Sequence, residues 1–303
     1  MANITTSSFA KALWPGVNSW YGLAYDEYPV EWDKLFDKYT SRKNFEEDVG
    51  TSGFGLASVK PEGAGISYDT EKQAFITRYT HLVYASGFII TKEMFDDDLY
   101  DIAGQKKAKA LAFSMRQTKE VVGANVYNRA GTSGYNGGDG VTLLSASHPN
   151  IAGGTWSNQL STAADVSEAV LEQACIDIAA FTNDRGLKIA VRPQQIIIAP
   201  SVEFDLARIL KNTDRPATAD RDINALVKQG RFPKGMVVNH YLTDADAWFI
   251  RTDVSDGMKY FERKADEFSM DNDFDTENAK FKATARYSFG WTDPRCIYGS
   301  LGA

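Results

Sequence analysis

The sequence is poor in the residues that carry most site chemistry. Its only histidines are His81, His148 and His240, and none sits in an H-x-x-x-H or H-E-x-x-H pattern, so no zinc motif is present. Cys175 and Cys296 are the only cysteines, and they stand far apart, which excludes a disulfide framework and a zinc knuckle. Buried free thiols in a reducing compartment are expected instead. No stretch approaches the roughly 20 consecutive apolar residues of a membrane span. The opening "MANITTSSFAKALW" has no apolar core of signal-peptide length, so synthesis in a cytoplasm is expected. Positive charge is also short: 33 Lys and Arg stand against 40 Asp and Glu, a net charge of -7. That argues against a basic groove built to grip phosphates.

Nucleotide and metal loops are missing in the same way. "GFGLAS" and "GAGISY" lack the third glycine of a dinucleotide fingerprint, and no G-K-[ST] marks a P-loop. In "DNDFDTE" (271–277), acidic residues alternate as at the front of a calcium loop. Thr276 and Lys282 then stand where that loop needs Gly and Glu, so a solvated acidic turn is expected.

What is present is architecture. Residues 1–50 carry Trp14, Trp20, Tyr21, Tyr25, Tyr28, Trp32, Phe36 and Tyr39 among glycines, prolines and charges, with a short helical pattern only near 31–39. So many rings in a poorly periodic arm are expected to lie on another surface, of this chain or of a neighbour. Residues 51–90 read as a projecting hairpin. Pro61, Gly63 and Gly65 form its turn, and "QAFITRYTHLVYASGFII" is a β-rich return limb. Residues 91–130 read as one long helix, on the order of 55 Å if unbroken. Thr91 is its candidate N-cap, Gly104 and Gly123 its candidate bends, and Leu111, Met115, Val122 and Val126 its apolar stripe.

From about residue 165 the texture becomes α/β. Asp165 with Glu168 resembles a capping box before a helix striped by Val170, Ala174, Ile178 and Phe181. "QQIIIAP" is an apolar strand of the kind buried on both faces, and "SVEFDLARILKN" is the helix after it. "GMVVNHYL" and "AWFIRTD" are expected to be two strands joined through Thr243–Asp246. In "NAKFKATARYSFGW", Phe281, Ala283, Ala285, Tyr287 and Phe289 alternate with polar residues, a long strand with one buried face.

One stretch, "DGVTLLSASHPN" (139–150), holds two serines, Ser145 and Ser147, and a histidine, His148. A nucleophilic serine needs a base in reach and a group orienting that base. Ser147 and His148 are adjacent and so point to opposite faces of an extended chain. Ser145 is not on a G-x-S-x-G elbow. No catalytic, cofactor or metal residue is therefore expected. Pro149 restrains His148 towards an extended conformation and Asp139–Gly140 is a ready turn, so Asp139, Gly140, His148 and Pro149 read as a structural junction.

The order of these elements resembles the major capsid protein of tailed bacteriophages, the Hong Kong 97-type fold. Five groups of stretches resemble its Mu-like head-subunit branch: "FGLASVKPEGAGISYD" with "YTHLVYASGFIITKEMFDDDLY", "DGVTLLSASHPN", "QQIIIAPSVEFDLARIL", "NHYLTDADAWFIRTD" and "ARYSFGWTDPRCIYGS". The resemblance implies an α+β chain with an N-terminal arm (1–50), an extended hairpin loop lying over the next subunit (51–90) and a peripheral domain with a spine helix (91–154). An axial domain (155–255) and a return to the peripheral domain with the long closing strand (256–303) would follow. It implies assembly contacts at Trp14, Trp20 and Trp32 of the arm and at Lys60, Pro61, Glu62 and Gly63 of the hairpin.

Function by this resemblance is structural: pentamers and hexamers close an icosahedral shell around double-stranded DNA, a virion component assembled in the bacterial cytoplasm. A negative wall suits DNA that must slide during packaging. Scaffolding is expected from a separate protein because the arm is short; portal and decoration proteins are further expected partners, and no membrane is involved. Lys60 and Lys72 lie in the hairpin, but nothing identifies a cross-link acceptor. An encapsulin-type shell enclosing a cargo enzyme is the alternative, and a small Ser/His hydrolase using Ser145 or Ser147 with His148 the remote one.

Overall fold

The computed structural model describes residues 10–27, 29–91, 93–94, 100–212, 223–272 and 278–302. Two mixed four-stranded sheets organise the chain. The first has the order β1 (Asp37–Thr40), β10 (Met258–Asn272), β11 (Ala279–Trp291), β4 (Leu82–Ile90). β1 runs parallel to β10, and the other pairs are antiparallel. β11 keeps the alternation expected of it: Phe281, Ala283, Ala285 and Tyr287 are buried while Lys280 and Lys282 are exposed. Two helices cover the buried face, α1 (Ala10–Glu27) and the 29-residue α2 (Tyr100–Asn128), the latter about 44 Å long.

α2 presents Leu111 and Met115 to this core, with Val122 and Val126 packed at its margin. Thr91 does accept a hydrogen bond, 3.4 Å from the Met94 N–H, as a cap would. The helix runs on through Gly123, one of the two candidate bends. A side chain there would come within 3.3 Å of Phe289 and of Trp32, so its smallness permits close packing.

The second sheet has the order β12 (Ile297–Ser300), β9 (Trp248–Thr252), β7 (Pro193–Ile198), β8 (Met236–Val238). Helices α3 (Glu168–Ala179), α4 (Glu203–Lys211) and α5 (Ala225–Lys228) lie in the same part of the chain. The sheet is buried on both faces. Ile196, Ile198, Trp248, Ile250 and Tyr298 join Leu171, Ile178 and Leu206 in one core. Ile197, Val237, Phe249 and Ile297 point the other way and join the core beneath α2. There the Tyr127 ring, near the end of α2, meets Phe249 edge-on at 5.2 Å. Period-two geometry thus makes one sheet the wall shared by two cores, which is why β7 reads as continuously apolar.

Several expectations fail. The arm is not aperiodic, because Ala10–Glu27 is helical. Residues 31–39 hold a short 3-10 turn and the start of β1. The hairpin starts at β2 (Phe45–Thr51), which pairs with β3 (Gln73–Thr80), and its return limb divides at His81 before β4 enters the first sheet. Helix α3 is capped by Ser167, whose side chain accepts from the Val170 N–H, with Asp165 outside the cap. The two strands expected at 235–242 and 247–253 do form, as β8 and β9, and β7 lies between them in the sheet. The 15-residue strand β10 was not anticipated at all. The acidic alternation expected as a solvated turn at 271–277 lies mostly outside the described residues.

Candidate functional site

Around residues 139–150 the geometry leaves no nucleophile. His148 is fully buried. Its Nδ1 is 2.6 Å from Asp139 Oδ2 and its Nε2 is 3.1 Å from Asn158 Oδ1. The Asn158 amide nitrogen donates to the carbonyls of Leu143 (2.7 Å), Pro294 (3.2 Å) and Ile297 (3.2 Å), so its oxygen faces the imidazole and Nε2 is the donor. The Ser145 N–H donates to that same oxygen, and the Ser145 hydroxyl accepts from the Ser147 N–H. Both ring nitrogens are occupied, and neither by a serine.

The ring stacks on Trp156 at 4.7 Å, with Arg295 over that indole at 4.6 Å. Arg295 donates to the Thr182 carbonyl, Asn150, Asp184 and Asp293. Burial raises the Asp293 carboxyl above the usual range, against the pull of Arg295. Gly140 turns in the left-handed region (φ +82°), and the short strand β5 (His148–Pro149) pairs with β6 (Thr155–Trp156), Pro149 opposite Thr155. The network ties the 139–150 segment to the 158 loop and to the residues leading into β12.

No metal centre forms among the described residues. The three histidines serve three different places: His81 meets Ser288, His148 meets Asp139, and His240 meets Glu31. Both cysteines are free and buried, and burial pushes the Cys175 thiol up to about 11. Cys296, more deeply buried, is raised further.

Among the described residues, arm rings lie on their own chain. Tyr21 stacks on Phe268 of β10 at 4.6 Å, and Trp32 is buried between Tyr260 (4.3 Å) and Phe289 (5.6 Å). The Glu31 and Trp32 N–H groups donate to the Glu120 carboxylate at 3.0 and 2.9 Å. Burial raises the Glu120 carboxyl, against those hydrogen bonds. Beneath α1, Lys119 pairs with Asp266 at 2.8 Å, the Tyr25 hydroxyl donates to that carboxylate, and Arg116 donates to the Tyr25 carbonyl. Trp20 is half-buried against this core, and the Trp14 side chain lies outside the described residues. Trp32 has thus little surface left to offer a neighbour.

The hairpin is the contrary case. Beyond the Ser52–Lys72 closure, its tip is not covered by its own chain. Leu56 is 83% exposed, Val59 94% and Tyr68 91%, with Phe54 and Ile66 also exposed. Lys60, Pro61, Glu62 and Gly63 stand at the end of this loop, where the Ala64 N–H closes a turn on the Pro61 carbonyl. A run of large apolar side chains in water marks an interaction surface. The neck of the loop is fastened by Asp69, which accepts from Gly55 N–H and from Arg185 of the loop after α3, both at 2.7 Å. These hydrogen bonds, the Gly55 one first, hold the Asp69 carboxyl at about 2.

Sequence reasoning missed Asn158, Arg295, Arg185 and Asp266, each a single polar residue with at least one partner more than 100 positions away. Nothing local marks such pairs.

Residues 75–300 match the family described as phage capsid protein. No curated protein matches the sequence. Among solved structures, the capsid of a native GTA particle is similar at TM-score 0.52 and 14% identity, over 90% of each chain. The procapsid of bacteriophage JBD30 is similar at TM-score 0.51 and 13% identity, over 98% of this chain and 76% of that one. Microbacterium phage Oxtober96 is similar at TM-score 0.51 and 10% identity, over the whole of both.

Proposed function

This chain belongs to the phage capsid protein family, and on that premise we propose that it is the major head subunit of a tailed phage or prophage, closing as pentamers and hexamers into an icosahedral shell around double-stranded DNA. Its role is structural and not enzymatic. We further place it in the Mu-like branch, on the five groups of stretches quoted above. Residues 1–50 act as the arm, 51–90 as the loop that reaches the next subunit, 91–154 and 256–303 as the peripheral domain, and 155–255 as the axial domain. Lys60, Pro61, Glu62 and Gly63 at the tip, with Trp14 and Trp20 on the arm, form contacts between copies; Trp32 contributes by seating the arm. Scaffolding, portal and decoration functions fall to separate proteins.

The exposed apolar tip carries this reading. Leu56, Val59, Ile66 and Tyr68 together forfeit several kcal/mol of burial, at about 1.5–3 kcal/mol for each fully buried large apolar side chain. A soluble monomer gains nothing from that arrangement, whereas a neighbouring copy recovers it. The acidic balance, 40 carboxylates against 33 cations, suits a wall that confines DNA without holding it. Negative-stain microscopy of the purified protein tests the reading. Closed shells, or pentamers and hexamers, are expected, and a chain that stays monomeric at high concentration overturns it. DNA-filled particles distinguish a head from a compartment that encloses an enzyme.

A further inference from the structure

The return limb of the hairpin enters the first sheet through a single residue, His81, between β3 and β4. Its backbone N–H donates to the Asn44 carbonyl at 3.3 Å, which joins the two limbs at their root. Arg286 of β11 donates to the His81 carbonyl at 3.1 Å and also reaches the Asn44 side chain. The residue is 2% exposed. Its Nδ1 is 2.9 Å from Ser288 Oγ of β11, while its Nε2 is buried with no hydrogen-bond partner.

The surroundings favour the uncharged ring. Phe261 of β10 lies 6.1 Å from it, centroid to centroid. The charged groups facing it are Glu46 of β2, Arg263 of β10 and Arg286 of β11. Glu46 is already engaged by Ser41 at 2.7 Å and Lys43 at 3.3 Å. His148 and His240 each face a carboxylate; His81 sits between two guanidinium groups and one occupied carboxylate.

We propose that His81 is an acid-sensitive joint, which holds the β2–β3 hairpin firmly on the first sheet while its imidazole is neutral and loosens that root when the ring is protonated. With the neutral ring's one proton assigned to Nδ1, donating to Ser288, a second proton adds an N–H at Nε2 with nothing to accept it, and puts a buried charge beside Arg263 and Arg286. Burial first, and then the two arginines, hold the ring below its ordinary value of 6.5, against Glu46. The joint is therefore fully firm above about 6.5, and it weakens as pH falls through the window beneath that value. Other attachments of the root contain no histidine: Tyr79 reaches Thr292 at 2.6 Å, and Lys259 reaches Asp48 at 2.6 Å.

The chain's three histidines make the test direct. Ring protonation is followed by NMR of the full-length, histidine-labelled chain, and amide exchange protection of residues 45–51 and 73–80 is followed between pH 7.5 and 5. One ring is expected to titrate below the ordinary value, with hairpin protection falling several-fold at the same midpoint while β7 and β9 hold theirs. His81→Asn, which keeps a donor towards Ser288 and cannot be charged, is expected to abolish the change. Unchanged hairpin protection at pH 5, or an equal loss in His81→Asn, overturns the proposal. Should that variant not fold, the unaltered chain decides: protection lost at a pH away from the low ring midpoint overturns it equally. The chain is kept unassembled throughout, so that cover of the hairpin by a neighbouring copy does not enter the readout.

Discussion

Replacing Lys119 by Met tests how the arm is bolted to the body. The ammonium and its partner Asp266 are only 6% and 10% exposed, 2.8 Å apart. Tyr25, Trp32 and Tyr287 rings lie 6.0, 5.9 and 5.3 Å from Nζ, so the charge is enclosed by aromatic surface. Asp266 Oδ1 has no hydrogen-bond partner, so Oδ2 carries all the compensation. Met keeps the volume and removes the cation, which leaves a buried carboxylate with the Tyr25 hydroxyl alone. Breaking a buried pair from one side costs about 3–5 kcal/mol.

With an unfolding entropy near 2.1 cal/mol/K per residue, a 303-residue chain carries about 0.6 kcal/mol/K, so Tm should fall by about 5–8 °C. Scanning calorimetry of the unassembled chain reads this. Lys119→Met with Asp266→Leu removes both charges and should recover most of the loss, because an apolar replacement of a buried pair is often neutral. A single-variant loss under about 1 kcal/mol would refute the enclosure argument. So would a double variant as unstable as the sum of the singles.

Other outcomes follow from the same reasoning. Asn158→Ala removes the partner of the His148 Nε2 and of the Ser145 N–H together with a donor to three carbonyls, and should destabilise by at least about 3 kcal/mol in urea unfolding, while ester hydrolysis stays absent in both proteins. Arg185→Ala removes an exposed pair, so Tm should move by less than about 1 kcal/mol equivalent, yet protease cleavage within 52–72 should accelerate, as read by mass spectrometry. A thiol held at about 11 is about 0.1% thiolate at pH 8, so Cys175 should react with a disulfide reagent far more slowly in the folded chain than in urea, where an ordinary thiol value returns. Equal rates would mean that α3 does not shield it.

The elements with a regular period were legible. β11 alternates from Phe281 to Tyr287 beside β4, and β7 carries the apolar run Ile196–Ile198 because two cores claim its two faces. β10 escaped because its register shifts between Glu262 and Lys264 and again between Lys264 and Glu267, which breaks the alternation that reveals a strand. α1 escaped because Pro15 and Gly16 stand inside it and read as a break. Tertiary packing of Tyr21 and Tyr25 supplies what local propensity lacks there. The exposed tip was half legible: its turn residues were plain, but the exposure of Leu56 and Val59 depends on what the rest of the chain fails to cover.

The sheet shared by two cores also sets how the subunit bears load. Two domains that meet through side chains can shear or peel apart at their seam. Here a push on the α3 side reaches the α2 side through the covalent strands β7 and β9 and the hydrogen bonds between them, since their alternate residues are rooted in both cores. Such a body flexes as one plate. In a wall built from many such plates, strain is relieved at the slender parts, the hairpin and the helix bolted by Lys119, while the plate keeps its shape.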